Sequence, residues 1–136
     1  MNLIELLDGK AEEIINGASE AMKRAGMKHF DSDTPEQIRR RVTMLYHLTE
    51  RGVKEKNLFP MVSYIEKMAE ERFTAGFDLQ EVQTAINVLE EYLWRYISEE
   101  LPPAALADAL RLISSILGAA KDALARKYVD LNKVVG

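Results

Sequence analysis

Four pairs of neighbouring carboxylates, Glu12-Glu13, Glu70-Glu71, Glu90-Glu91 and Glu99-Glu100, are the first groups to weigh for acid–base or metal chemistry. Two carboxylates act on one atom only if they project from the same side of their element. Adjacent helical residues point about 100° apart, so none of these pairs converges within a helix. A di-iron bundle needs Glu-x-x-His on facing helices. His29 has Gly26 three residues before it and His47 has Met44, so that pattern fails. HExxH, GxGxxG, GxSxG and a phosphate-binding loop are all missing. With no cysteine, thiolate catalysis and cysteine-held metals are excluded as well. Catalytic residues, metal and cofactor are each expected to be absent.

His47, in MLYHLTERG, is the best single candidate for chemistry. A helix-borne imidazole can accept a phosphoryl group, as in histidine phosphotransfer domains. Those domains carry a lysine and a small residue soon after the histidine, where this chain has Leu48, Thr49 and Glu50. A partly exposed helix histidine is the plainer reading. Next comes an aromatic and methionine set: Tyr46, Phe59, Tyr64, Met68, Phe73, Tyr92, Trp94 and Tyr96. At helical spacing such residues usually fill cores. Trp94, the single tryptophan, lies off the main stripe of its helix and so faces another helix, a partner chain or a pocket. A pocket there would be walled by Phe59, Tyr64, Met68, Trp94 and Tyr96 and would take a small apolar ligand.

The elements that must position these groups are helices. The chain has 136 residues, 47% hydrophobic and 29% charged, with 7 glycines and 4 prolines. That balance suits one all-α domain and is too poor in turn residues for a sandwich of short strands. Apolar residues three and four apart (Ile4, Leu7, Ala11, Ile14, Ala18, Ala21, Ala25) predict a first helix over Asn2 to Ala25, weakened at Gly9 and Gly17. Thr34, Pro35 and Gln37 read as cap, first residue and capping-box partner of a second helix with Ile38, Val42, Leu45 and Thr49 inward, ending at Gly52. After the linker VKEKN, a third helix runs from Phe59 to Ala75, with Leu58, Met61 or Val62, Ile65, Met68 or Ala69 and Phe73 as its stripe and Gly76 at C′.

Asp78 then caps a fourth helix, with Glu81 as reciprocal partner and Phe77 stapled to Val82. This corner predicts a tight hairpin of the third and fourth helices. Val82, Ile86, Leu89, Leu93, and Tyr96 or Ile97 form the buried stripe, and Leu101-Pro102-Pro103 stops it. The last helix, about Ala104 to Lys133, spans about 45 Å at 1.5 Å per residue. Leu106, Leu110, Ile113, Leu117, Ala120, Leu124, Tyr128 and Leu131 make one stripe. Leu112, Ile116, Ala119 and Ala123 lie on a second face. Two apolar faces predict a helix that is central to the core along part of its length and part of a homodimer interface along the rest, with these four as the interface candidates. Five helices in all are expected.

The net charge is −4, opposite to the basic excess that phosphate neutralisation demands, so no nucleic-acid partner is expected. Arg39-Arg40-Arg41 is the one dense basic run, and on a helix its members point in three directions. No stretch has about 18 uninterrupted apolar residues and the N-terminus lacks a basic start, so neither a membrane span nor a signal peptide is expected. The expected location is cytoplasmic.

The run EERFTAGFDLQEVQTAINVLEEYLWRYISEEL, followed by a long helix ending ALARKYVDL, resembles the RsbRD N-terminal domain family. The matching positions are Gly76, Phe77, Leu79, Glu81, Val82, Leu89, Leu93, Trp94, Ala123 and Tyr128, and the likeness is clear over Ile65 to Leu131. It implies a globin-like helical input domain without haem, which dimerises and passes a stress or ligand signal to a STAS-domain protein, a histidine kinase or another output module. The chain as read ends at Gly136, so a stand-alone copy is expected to act by binding a partner, by competing for dimerisation or by sensing a ligand for a separate protein. On haem the residues agree. Neither His29, in an expected loop, nor His47, in an early helix, stands where a proximal histidine would be.

Overall fold

The computed structural model describes residues 1–25, 34–76 and 79–135, except the side chains of residues 81, 134 and 135. These residues form six α-helices and no strand: α1 (Leu3–Gly9), α2 (Ala11–Arg24), α3 (Pro35–Glu55), α4 (Phe59–Thr74), α5 (Leu79–Glu100) and α6 (Pro103–Val135).

The single N-terminal helix expected from periodicity is two. Lys10, at φ −112° and ψ 12°, closes α1 and opens α2, directly after Gly9. Glycine holds a helix less firmly than the residues around it, so the break falls there. It lets α1 bury Leu6 and Leu7 together while α2 buries Ile14, Ile15, Ala18 and Met22. Ile4, expected inward, is 41% exposed. A helix C-terminus leaves carbonyls without intrahelical partners. The Leu7 carbonyl, in α1's last turn, accepts instead from the buried Tyr46 hydroxyl of α3 at 2.6 Å.

The start of α3 follows its sequence. Thr34 accepts from the Gln37 N–H at 3.2 Å, and the Gln37 side chain accepts from the Thr34 N–H at 2.9 Å. Its end does not. Gly52, expected as the stop, lies inside the helix, which closes at Lys56 in the left-handed region (φ 52°). Val53 is buried too, so the expected linker begins within α3. Gly52 is there for close approach: a methyl group in its place would stand 3.2 Å from Ile116 Cδ1 of α6.

Helix α4 has Pro60 in its first turn and buries Met61, Ile65, Met68 and Ala69, while Leu58 is exposed. Gly76 follows with φ 91°, the conformation expected of a C′ glycine. The corner built on Phe77 and Asp78, with Glu81 as partner, lies outside the described residues and side chains. The expected hairpin pairing gives way to another arrangement: α4 lies mainly on α6 and touches α5 little. The α5 stripe of Val82, Ile86, Leu89 and Leu93 is buried, joined by Ala85, and Ile97 rather than Tyr96 completes it.

Helix α6 is central. It packs on α4, α5 and α3, burying Ala109, Ile113, Ile116, Leu117, Ala120, Leu124 and Tyr128. By length and composition alone Pro103–Lys133 is apolar enough to cross a membrane, a test that the core helix of a globular domain also passes. A second layer forms where α2 packs on α3 and α5. Two partly screened ion pairs tie α6 to its neighbours, Lys121 to Glu90 at 3.0 Å and Lys127 to Glu70 at 2.8 Å.

Candidate ligand-binding cleft

Two helix faces with the same spacing meet between α3 and α4. Gln37, Arg40, Arg41 and Met44 fall at i, i+3, i+4 and i+7 on α3; Tyr64, Lys67, Met68 and Glu71 do so on α4, with Arg72 beside them. Between them lies an open cleft of about 420 Å³. Behind it is a narrower apolar pocket with about 20 Å³ of free room, bounded by Met22, Ile38, Val42, Leu45, Val82 and Ala85. Arg41, Met68 and Arg72 border both spaces.

The cleft is cationic. Arg40, Arg41, Lys67 and Arg72 face one carboxylate, Glu71. Arg40 and Lys67 have no ion-pair partner among the described residues. Tyr64 is caught between opposing influences: burial raises its pKa, while Arg41 and Arg72 act to lower it. Its hydroxyl makes no hydrogen bond to a described residue.

Of the five residues expected to wall one pocket, only Tyr64 and Met68 line this cleft. Phe59 is 73% exposed and Trp94 45% exposed, and neither borders it. Tyr96 lies elsewhere, donating to Glu13 of α2 at 3.1 Å. The aromatic set is spread over separate faces because Tyr64 and Trp94 belong to helices that touch little. On α6, Ile116 is 1% exposed against Gly52 and belongs to the core, not to an outer face. Leu112, Ala119 and Ala123 are half-buried.

His47 is exposed on α3, its Nδ1 3.3 Å from Glu50 and its ring edge-on to Tyr46 at 5.8 Å. His29 lies outside the described residues. Among the described residues no three His, Asp or Glu side chains are grouped to hold a metal. Of the paired carboxylates, Glu12, Glu70 and Glu90 are taken up in ion pairs between helices.

The basic triplet divides as helix geometry requires. Arg39 turns to α2, where it binds Glu12 at 3.0 Å and Asn16, while Arg40 and Arg41 enter the cleft. What the sequence does not display is that Lys67 and Arg72 meet them from α4. The matching spacing of the two faces was the available signal, but spacing does not say that the faces oppose each other.

The described residues thus form an all-helical domain with an open cleft between α3 and α4. A family model, that of the RsbT co-antagonist protein rsbRD N-terminal domain, matches residues 5–132, and the chain belongs to this family. The likeness thus extends through α1, α2 and α3, well beyond the region where the residues alone display it. The family is one of regulatory domains. No curated protein and no solved structure matches the chain.

Proposed function

We propose that this chain is a non-enzymatic input domain of a stress-response system, acting as a homodimer that engages a separate signalling protein of the STAS-domain or histidine-kinase type. The observation that carries the regulatory part is the family match over residues 5–132. The contact part is supported by apolar side chains that the chain leaves in water, Phe59 at 73% and Trp94 at 45% exposed. Large exposed aromatics are common anchors of protein interfaces.

For the dimer, the outer face of α6 is the best support. Leu112, Ala119 and Ala123 stand half-covered there, and a methyl group placed on Gly118 would meet nothing within 4 Å. Small residues on an open face allow a second helix to approach closely. Sedimentation at micromolar concentration tests this directly: a dimer is expected, and a monomer throughout that range overturns the assembly. Ala119→Glu should dissociate it with helical content unchanged. The domain works without haem, and a Soret band on haem addition would overturn that.

A further inference from the structure

We infer that the cleft between α3 and α4 binds a small organic anion whose apolar part is a flat ring. This goes beyond the regulatory reading and does not rest on it, since binding is measurable whether or not the domain dimerises or finds a partner.

The charge comes first. Arg40 and Lys67 line the cleft from its two walls, and neither has an ion-pair partner among the described residues. Cations gathered on two facing helices repel one another, and a bound anion reverses the sign of that interaction. Guanidinium groups present planar forks that match a carboxylate or phosphate with two parallel hydrogen bonds. The Tyr64 hydroxyl, with no hydrogen bond among the described residues, adds a neutral donor on the α4 wall.

The apolar part follows from shape. Met44 is 45% exposed on the α3 wall, and Tyr64 and Met68 line the α4 wall. Methionine sulfur and a phenol ring favour contact with an aromatic face over a merely aliphatic one. About 420 Å³ lies within the range of small-molecule sites, roughly 300–1,000 Å³. The inner pocket, with about 20 Å³ free, has room for little more than one water. A long alkyl chain would therefore have to displace core side chains, whereas a flat ring can stay in the cleft.

Calorimetric titration with naphthoate tests the inference, against naphthalene methanol (ring without charge), acetate (charge without ring) and decanoate (charge with a chain). Naphthoate should bind saturably at one site, more tightly than each of the other three, and more weakly as salt is raised. The double variant Arg40→Gln, Lys67→Gln changes two exposed side chains and should weaken naphthoate by about tenfold or more, the equivalent of one lost charge contact. Arg126→Gln, on α6 and outside the cleft, should change nothing, and thermal melts confirm that both variants fold. No saturable naphthoate binding, equal binding of naphthalene methanol, or an unchanged double variant each overturns the inference. Tighter binding of decanoate overturns its flat-ring part, because a chain would then be entering the core.

Discussion

The ring of Tyr92 occupies the space that a side chain at position 17 would need: a methyl group on Gly17 would fall 2.5 Å from Tyr92 Cε1 and 3.0 Å from Cδ1. Helices α2 and α5 pack through this contact. The Arg95 guanidinium lies over the same ring, 4.8 Å from its centre, and helps hold the ring in place.

Gly17→Ala should therefore destabilise the domain, although alanine is the better helix former. The propensity gain is about 1 kcal/mol, against roughly 1–3 kcal/mol for overpacking. A net loss on the order of 1 kcal/mol is expected, read as a lower urea midpoint. The double change Gly17→Ala, Tyr92→Ala removes the clash. If Gly17→Ala still lowered the midpoint in the Tyr92→Ala background, the contact with the ring would be irrelevant.

Two neighbours on α6 should separate core from surface. Ile116→Ala removes a side chain packed on Gly52, and truncations of this kind cost roughly 2–5 kcal/mol. Gly118→Ala meets no atom within 4 Å and should stabilise the monomer by up to about 1 kcal/mol. If the outer face of α6 is the dimer interface, the same substitution should also shift the monomer–dimer balance. Thermal melts and sedimentation of both variants check this.

Tyr46 should make stability fall in alkali. Its ring is wholly buried and its hydroxyl donates to the Leu7 carbonyl. Burial pushes its pKa well up, with Glu50 and Asp8 adding in the same direction. A folded pKa above the unfolded one means that the neutral phenol's contribution is fully present below about pH 10, and is lost as pH rises past that value toward the folded pKa. Tyr46→Phe should cost roughly 1–2 kcal/mol at neutral pH by leaving a carbonyl unpaired, yet flatten the alkaline decline. Denaturant midpoints from neutral to strongly alkaline pH, in both proteins, would show parallel curves if this is mistaken.

His47 should not accept a phosphoryl group from a phosphodonor. Its Nδ1 is engaged by Glu50 at 3.3 Å, and that carboxylate would repel a phosphate. Acid-labile phosphate on the wild-type protein, absent from His47→Gln, would contradict this.

Much of the helical pattern was readable because it is local. The Thr34–Gln37 box needs three residues of context, and the stripe of Val82, Ile86, Leu89 and Leu93 repeats at the helical period whatever it packs on. Gly52 shows where such reading stops. A glycine near a helix end looks like a terminator, yet this one is a landing point for Ile116, sixty-four positions away. The division of the N-terminal helix at Gly9 was visible only as a weakness, and the bond from Tyr46 to the Leu7 carbonyl beside that break belongs to the tertiary structure.

By itself the sequence determined that the chain is helical, roughly where its helices start and stop, which stripe most of them bury, and that no motif for metal or nucleophilic chemistry is present. These properties follow from hydrogen bonding and side-chain periodicity within a few turns. Only the tertiary structure decided which faces meet. It sent Ile116 into the core, left Trp94 in water and set Arg40 and Arg41 opposite Lys67 and Arg72. The reason is that a helix face is specified by its own residues, but its partner is selected by the shape and charge of every other helix competing to cover it.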